Sequence, residues 1–322
     1  MLTRRRAIAG VGAATMASAG AASAQTWPSR QISLVLPFVA GSGTDTMARL
    51  IGERLSAKFG QPVLVDNKAG ANGSIAATTV ARAAPDGHTL MVTTNTTHAA
   101  NPSLLKNLPY DPVKDFEPVA LVGLAPFVLV THPSVPVATF AELVARAKAN
   151  PGKMSFAAGT STAHICGESM KRLAGIDILR VPYKSAPPAL NDVISGQVEM
   201  TFIDIGTGLP HIRAGKVKTL VATDAARSPH LPDVPTLRAL GMEFDIVAWY
   251  AVYAPLKTPA EIVGRLNAAI NEMMASADMK ERMDRFSVVI KTGTPDDLGK
   301  WTRSEIEKWG RLARAAGIEP EG

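Results

Sequence analysis

Short apolar runs alternate with amphipathic stretches along most of the chain. Residues 32–36 form an apolar run stopped by Pro37, which predicts a buried strand. Met47, Leu50, Ile51 and Leu55 then share one face of a predicted helix over 44–59, and Gly60 ends it. Strands are predicted at 63–65 and 89–93, with a short Ala-rich helix at 74–83 between them. This strand–helix rhythm implies a parallel sheet with helices on its faces. A strand at 127–131 precedes a second round of the same pattern. Its helices fall at 140–149, 164–174, 189–195 and 208–214, and its strands at 154–157, 178–181, 200–203 and 217–222. After a further apolar strand at 248–254 the chain is mainly helical, over 259–275, 279–286 and 296–315, with a short strand near 288–291. This tail has too few strands for a third domain, so it is expected to return and complete the first α/β unit. The strands at 127–131 and 248–254 would then be the hinge.

The N-terminus carries its own pattern. Thr3-Arg4-Arg5-Arg6 is followed by a weakly apolar, Ala- and Gly-rich stretch and by Ala22-Ser23-Ala24 before Gln25. That is the order of a secretory signal over 1–24, and the arginines favour the twin-arginine type although Ala7 stands where Phe is usual. A membrane anchor is the alternative, but Gly10, Gly12, Thr15, Ser18 and Gly20 dilute a stretch that would need about 20 strongly apolar residues. The expected compartment is therefore the periplasm.

Composition narrows the class. Apolar residues make up 46% and charged residues 19%, enough to bury a full core. Loss of Arg4, Arg5 and Arg6 with the signal lowers the formal charge from +6 to +3. No basic run with interleaved aromatics remains, so nucleic acid is not an expected partner. Cys166 stands alone, so neither an internal disulfide nor a CxxC site is available. The histidines His88, His98, His132, His211 and His230 show no paired metal spacing, and neither metal nor cofactor is expected.

The candidate chemistry sits after the strands, where open α/β sheets bind ligands. Gly41, Ser42, Gly43, Thr44 and Asp45 follow the first strand and open a helix, where free N–H groups and the dipole favour an anion. A plain glycine turn with a helix cap would look the same. Thr46 stands where a dinucleotide loop would carry its third Gly. Thr94-Asn95-Thr96-Thr97-His98 follows the third strand and is dense in small hydrogen-bonding groups. In the second unit Ser161 and Thr162, Ser185 and Ala186, and Asp204 occupy equivalent positions. The run 159–163 approaches a nucleophile elbow, but Ala163 replaces the final Gly and His164 is too near to be the usual distant base. No enzymatic activity is expected.

Taken in order, these segments resemble the solute-binding proteins of tripartite tricarboxylate transporters, the Bug or TctC family. The similarity runs through Pro37-Phe38-Val39-Ala40-Gly41-Ser42-Gly43-Thr44-Asp45, Asn67-Lys68-Ala69-Gly70-Ala71-Asn72-Gly73, Pro85-Asp86-Gly87, Leu108-Pro109-Tyr110-Asp111-Pro112, Val181-Pro182-Tyr183-Lys184 and Leu231-Pro232-Asp233-Val234-Pro235. Each motif is weak alone, and the ordered set is specific. The resemblance implies an α/β, two-lobed periplasmic-binding-protein type II fold with a hinge and an interlobe ligand cleft. Lobe 1 would comprise 25–127 plus 250–322 and lobe 2 128–249. It implies a monomer holding a small carboxylate through backbone amides, hydroxyls and water, and passing it to the membrane permease components of a transporter. By family position the ligand-binding residues would be Gly41, Ser42, Gly43, Thr44, Asp45, Thr97, His98, Ser161, Thr162, Lys184, Ser185, Ala186 and Asp204. The chain departs from the family at Ser185, where Gly is usual, at Trp249-Tyr250-Ala251 in place of Trp-x-Gly, and in a shorter loop between Phe156 and His164. A sensing protein that docks on a signalling receptor would use the same cleft, and a hydrolase is the third reading.

Overall fold

The structure is a computed structural model and describes residues 27–242 and 245–322. The signal expected over 1–24 lies outside the described residues. The first unit begins with β1 (Ile32–Leu36), α1 (Gly43–Phe59), β2 (Val63–Asn67), α2 (Ser74–Ala81) and β3 (Thr89–Thr94). A π-helical turn (Thr96–Ala100) runs into α3 (Asn101–Leu104), and β4 (Phe116–Ala125) follows. The second unit comprises β5 (Phe127–Thr131), α4 (Phe140–Ala149), β6 (Ser155–Ala158), α5 (Ser161–Ala174), β7 (Leu179–Pro182), α6 (Ala186–Ile194), β8 (Met200–Asp204), α7 (Ile205–Arg213) and β9 (Lys218–Ala222). The tail holds β10 (Ala248–Pro255), α8 (Ala260–Ala275), α9 (Ala277–Arg285), β11 (Val289–Ile290) and α10 (Pro295–Ala315).

Two sheets result, ordered β11-β4-β10-β3-β1-β2 and β7-β6-β8-β5-β9. Neither is wholly parallel, as the strand–helix rhythm implied. The β1–β2, β1–β3, β6–β7 and β6–β8 pairs are parallel, but β10 runs antiparallel to β3 and β4, and β5 antiparallel to β8 and β9. The cause is the path of the chain. Each of these strands begins where the chain crosses from the other sheet, so it starts at the end where the neighbouring parallel strands finish.

The crossings are short. Pro126 alone separates β4 from β5, and the second crossing lies between β9 and β10. The strands expected to form the hinge are instead paired on both sides, β5 to β8 and β9, and β10 to β3 and β4. The crossings themselves lie at the ends of these strands. There the buried Thr223 hydroxyl accepts from the Phe127 N–H (3.3 Å) and donates to the Ile246 carbonyl (2.7 Å), tying the two crossings together.

β4 was not evident from the sequence. Pro118 interrupts its apolar pattern, and two register shifts against β10 absorb the irregularity. Gly123 has a steric reason, since a Cβ there would lie 2.8 Å from the Val289 carbonyl of β11. The tail packs on the first sheet: β11 extends it, and α8 and α10 lie against β4. The buried Glu305 carboxylate on α10 accepts from the Trp249 (3.0 Å) and Trp309 (2.8 Å) indole N–H groups, fastening the helix to β10.

Candidate functional site

Between the two sheets lies a cleft divided into two compartments. The inner one has a volume of about 30 Å³ and is lined by Phe38, Ser42, Gly43, Thr44, Thr94, Asn95, Thr96, Phe127, Thr160, Thr162, Ser185, Ala186, Asp204, Ala248 and Tyr250. The outer one has a volume of about 250 Å³ and opens between α1 and the 286–288 segment on one side and α6 and α7 on the other. Gly43, Asp204 and Tyr250 line both and form the partition. A Cβ at Gly43 would collide with the Tyr250 hydroxyl and stand 3.1 Å from the Asp204 carboxylate, so only glycine lets the α1 start approach this closely.

The inner compartment is a meeting point of helix starts. α1, α5, α6 and α7 all begin on its walls, and the positive ends of their dipoles add there. Three starts are capped internally: Ser42 accepts from the Asp45 N–H, Thr160 from the Ala163 N–H, and Asp204 from the Thr207 N–H. Ser185 caps nothing, and its buried hydroxyl has no protein partner. Asn95 Oδ1 is likewise buried and unpaired, while its Nδ2 donates to Thr162 Oγ1 across the cleft (3.0 Å). A second cross-cleft bond joins Thr96 Oγ1 and Ser161 Oγ (2.8 Å). Buried polar atoms without partners cost stability, and a ligand entering here would relieve that cost.

The electrostatics favour one anion. Burial raises the Asp204 carboxyl above its ordinary value, only partly offset by the hydrogen bonds from Thr207. Burial, and then the Asp204 charge, push the Tyr250 phenol well up, so it stays protonated and able to donate. Among the described residues, neither compartment is lined by a lysine or arginine. The donors the walls offer are backbone N–H groups, hydroxyls, the Asn95 and Asn191 amides and the His211 ring.

The residues expected from the sequence divide into groups. Ser42, Gly43, Thr44, Thr162, Ser185, Ala186 and Asp204 line the inner compartment, and Gly41 the outer one. Ser161 is taken up in the cross-cleft bond. Asp45 braces the first loop from behind, accepting from the Gly41 N–H (3.0 Å), Arg49 Nε (3.0 Å) and Asn67 Nδ2 (3.1 Å). Burial would raise its pKa, but these bonds and the Arg49 charge outweigh it and leave the carboxyl lowered. Lys184 lines a separate cavity with His164, Arg180 and Glu321. Thr97 and His98 do not line either compartment. Thr97 bonds to Thr93 (2.5 Å) and to His98 (2.9 Å), and the His98 ring stacks on Tyr253 with centroids 3.9 Å apart. Full burial lowers the His98 pKa to about 3, so it is a neutral core residue.

The reason is the π-helical turn. It presents Asn95 and Thr96 to the cleft and folds the next two residues into the first unit. Asn95 and Thr96 belong to the segment the sequence singles out, but the family positions carried over from it are Thr97 and His98; Tyr250 stands out there only as a departure from the family pattern. For Tyr250 the signal was ambiguous, because the same apolar run carries Tyr253, which stacks on His98 and bonds to Thr302 instead.

Two α/β lobes joined by two crossings, with an anion-attracting cavity between them, define the two-lobed periplasmic binding proteins. The chain belongs to the TctC family, the tripartite tricarboxylate transporter family receptors, whose family model matches residues 47–318. It is therefore a solute-binding protein. It is 36% identical to protein BugT of Bordetella pertussis over 322 residues, 99% of each chain. Among solved structures it resembles R. palustris Rpa4515 with adipate (TM-score 0.89, 34% identity, 92% of this chain and 100% of that one). It also resembles MatC from Rhodopseudomonas palustris with bound malate (TM-score 0.85, 34% identity, 89% and 99%).

Proposed function

We propose that this protein captures a small carboxylate in the inner compartment and delivers it, chemically unchanged, to the membrane components of a tripartite transporter. The observation that carries the reading is the convergence of the α1, α5, α6 and α7 starts on unpaired Asn95 and Ser185 atoms. Relatives that hold adipate and malate in the same fold support it. A serine-nucleophile role would need a hydroxyl activated by a base, and the hydrogen-bond partner of the Ser161 hydroxyl is the Thr96 hydroxyl. Among the described residues no helix is long and apolar enough to cross a membrane. Together with the family, this supports a periplasmic receptor, which cell fractionation would test.

Release and capture would proceed by the lobes turning about Pro126 and the segment before β10, with the Asn95–Thr162 and Thr96–Ser161 bonds formed on closure. Thermal melts and calorimetry with mono-, di- and tricarboxylates test the reading. A true ligand at 100 times its Kd stabilises by about 2.7 kcal/mol. Absence of stabilisation across the panel would overturn it. Mass spectrometry of the recovered ligand should show an unaltered mass, and small-angle scattering a more compact particle.

A further inference from the structure

We propose, resting on the carboxylate reading above, that the ligand is a monocarboxylate whose remaining body is uncharged, apolar and ring-sized, and that this body occupies the outer compartment. The inner compartment has room for little more than the anionic end, about 30 Å³. The rest of any larger ligand must pass the Gly43–Tyr250–Asp204 partition. Beyond it the walls carry an apolar side, with Met47, Leu190, Phe286 and Val288, beside the polar Thr46, Thr207 and His211. Their volume of about 250 Å³ is ample for a ring, since an apolar cavity of about 150 Å³ binds benzene.

The charges point the same way. All four helix starts line the inner compartment, whereas the outer one meets the first turns of α1, α6 and α7 only, so one carboxylate is held best in the inner compartment. A second one in the outer compartment would lie beside Asp204 with no lysine or arginine among the described lining residues. Tyr250 there stays protonated, and His211 is held toward its neutral form by burial and then by Lys216. Pro187 and Pro188 remove two N–H groups from the first turn of α6, so that helix offers few donors on this side. Moving a second carboxylate out of water into such surroundings is unfavourable, whereas an apolar body gains by burial.

Matched pairs test the proposal by calorimetry at neutral pH: hexanoate against adipate, and benzoate against terephthalate. The monocarboxylate of each pair is expected to bind at least about tenfold more tightly. Asn191 is exposed at the rim of the outer compartment, so Asn191→Arg places a cation there without disturbing the core. That variant is expected to shift the preference toward the dicarboxylates. Tighter binding of adipate and terephthalate by the native protein would overturn the proposal while leaving carboxylate capture standing. Binding confined to short acids such as acetate would overturn it as well, because the outer compartment would then contribute nothing. Failure of every carboxylate to bind would overturn both.

Discussion

At Gly43 the space between two lobes comes down to a single hydrogen atom. Gly43→Ala would drive a methyl group against the Tyr250 hydroxyl and the Asp204 carboxylate. Carboxylate affinity is expected to fall at least about tenfold, and the unliganded protein to lose about 1–3 kcal/mol, because the Tyr250 ring that must give way is itself buried against the first sheet. Calorimetry beside thermal melts checks both halves. Asp204 makes the second prediction at this scale. Its pKa is raised by burial, so ionisation is disfavoured in the folded state, and the stability it lends at low pH is lost as pH rises through the folded-state value. An anion in the same compartment penalises the charged form further. Affinity should therefore decline as pH rises through Asp204's titration, and Asp204→Asn, which keeps a helix cap, should flatten that decline and strengthen binding at neutral pH. A variant that binds more weakly at every pH would instead show that the carboxylate accepts a hydrogen bond from the ligand.

Among elements, the joints between lobes matter more than the strands that enter them. Thr223→Val keeps the side chain's shape but leaves the Phe127 N–H and Ile246 carbonyl without their partner. A loss of about 1–3 kcal/mol is expected in chemical denaturation. The strand–helix rhythm was legible because buried strands and amphipathic helices have different periods, visible at residues 32–36 and 44–59. The start of α1 was legible too, through its Gly-Ser-Gly-Thr-Asp run at a strand end. β4 was not, because Pro118 and its bulges erase the alternation. Nor could the sequence separate Asn95 and Thr96 from Thr97 and His98. All are small or polar neighbours, and the π-helical turn that sorts them has no period of its own. Lys184 shows the same limit. It is adjacent to Ser185, yet it lines a different cavity.

For the molecule as a whole, acid should be the sensitive direction. His98 is neutral in the folded state down to about pH 3, whereas an unfolded chain takes up its proton below about 6.5. Stability is fully retained above about 6.5 and declines by about 1.4 kcal/mol per pH unit from this group as pH falls toward 3. Denaturation at pH 7 and pH 4 is expected to show a loss about 3 kcal/mol greater in the native protein than in His98→Gln. Equal losses would show that His98 is not the group that titrates.

The sheet order has a further consequence, for the ribosome rather than the ligand. Every element of the second lobe from β5 to β9 is contiguous in the chain, so that lobe can be finished while synthesis continues. β4 has no such fortune. Both of its neighbours, β10 and β11, come from the tail, so a ten-residue, largely apolar strand waits with two open edges until the last third of the chain has emerged. During that interval β4 is the segment that a nascent-chain chaperone would have most reason to cover.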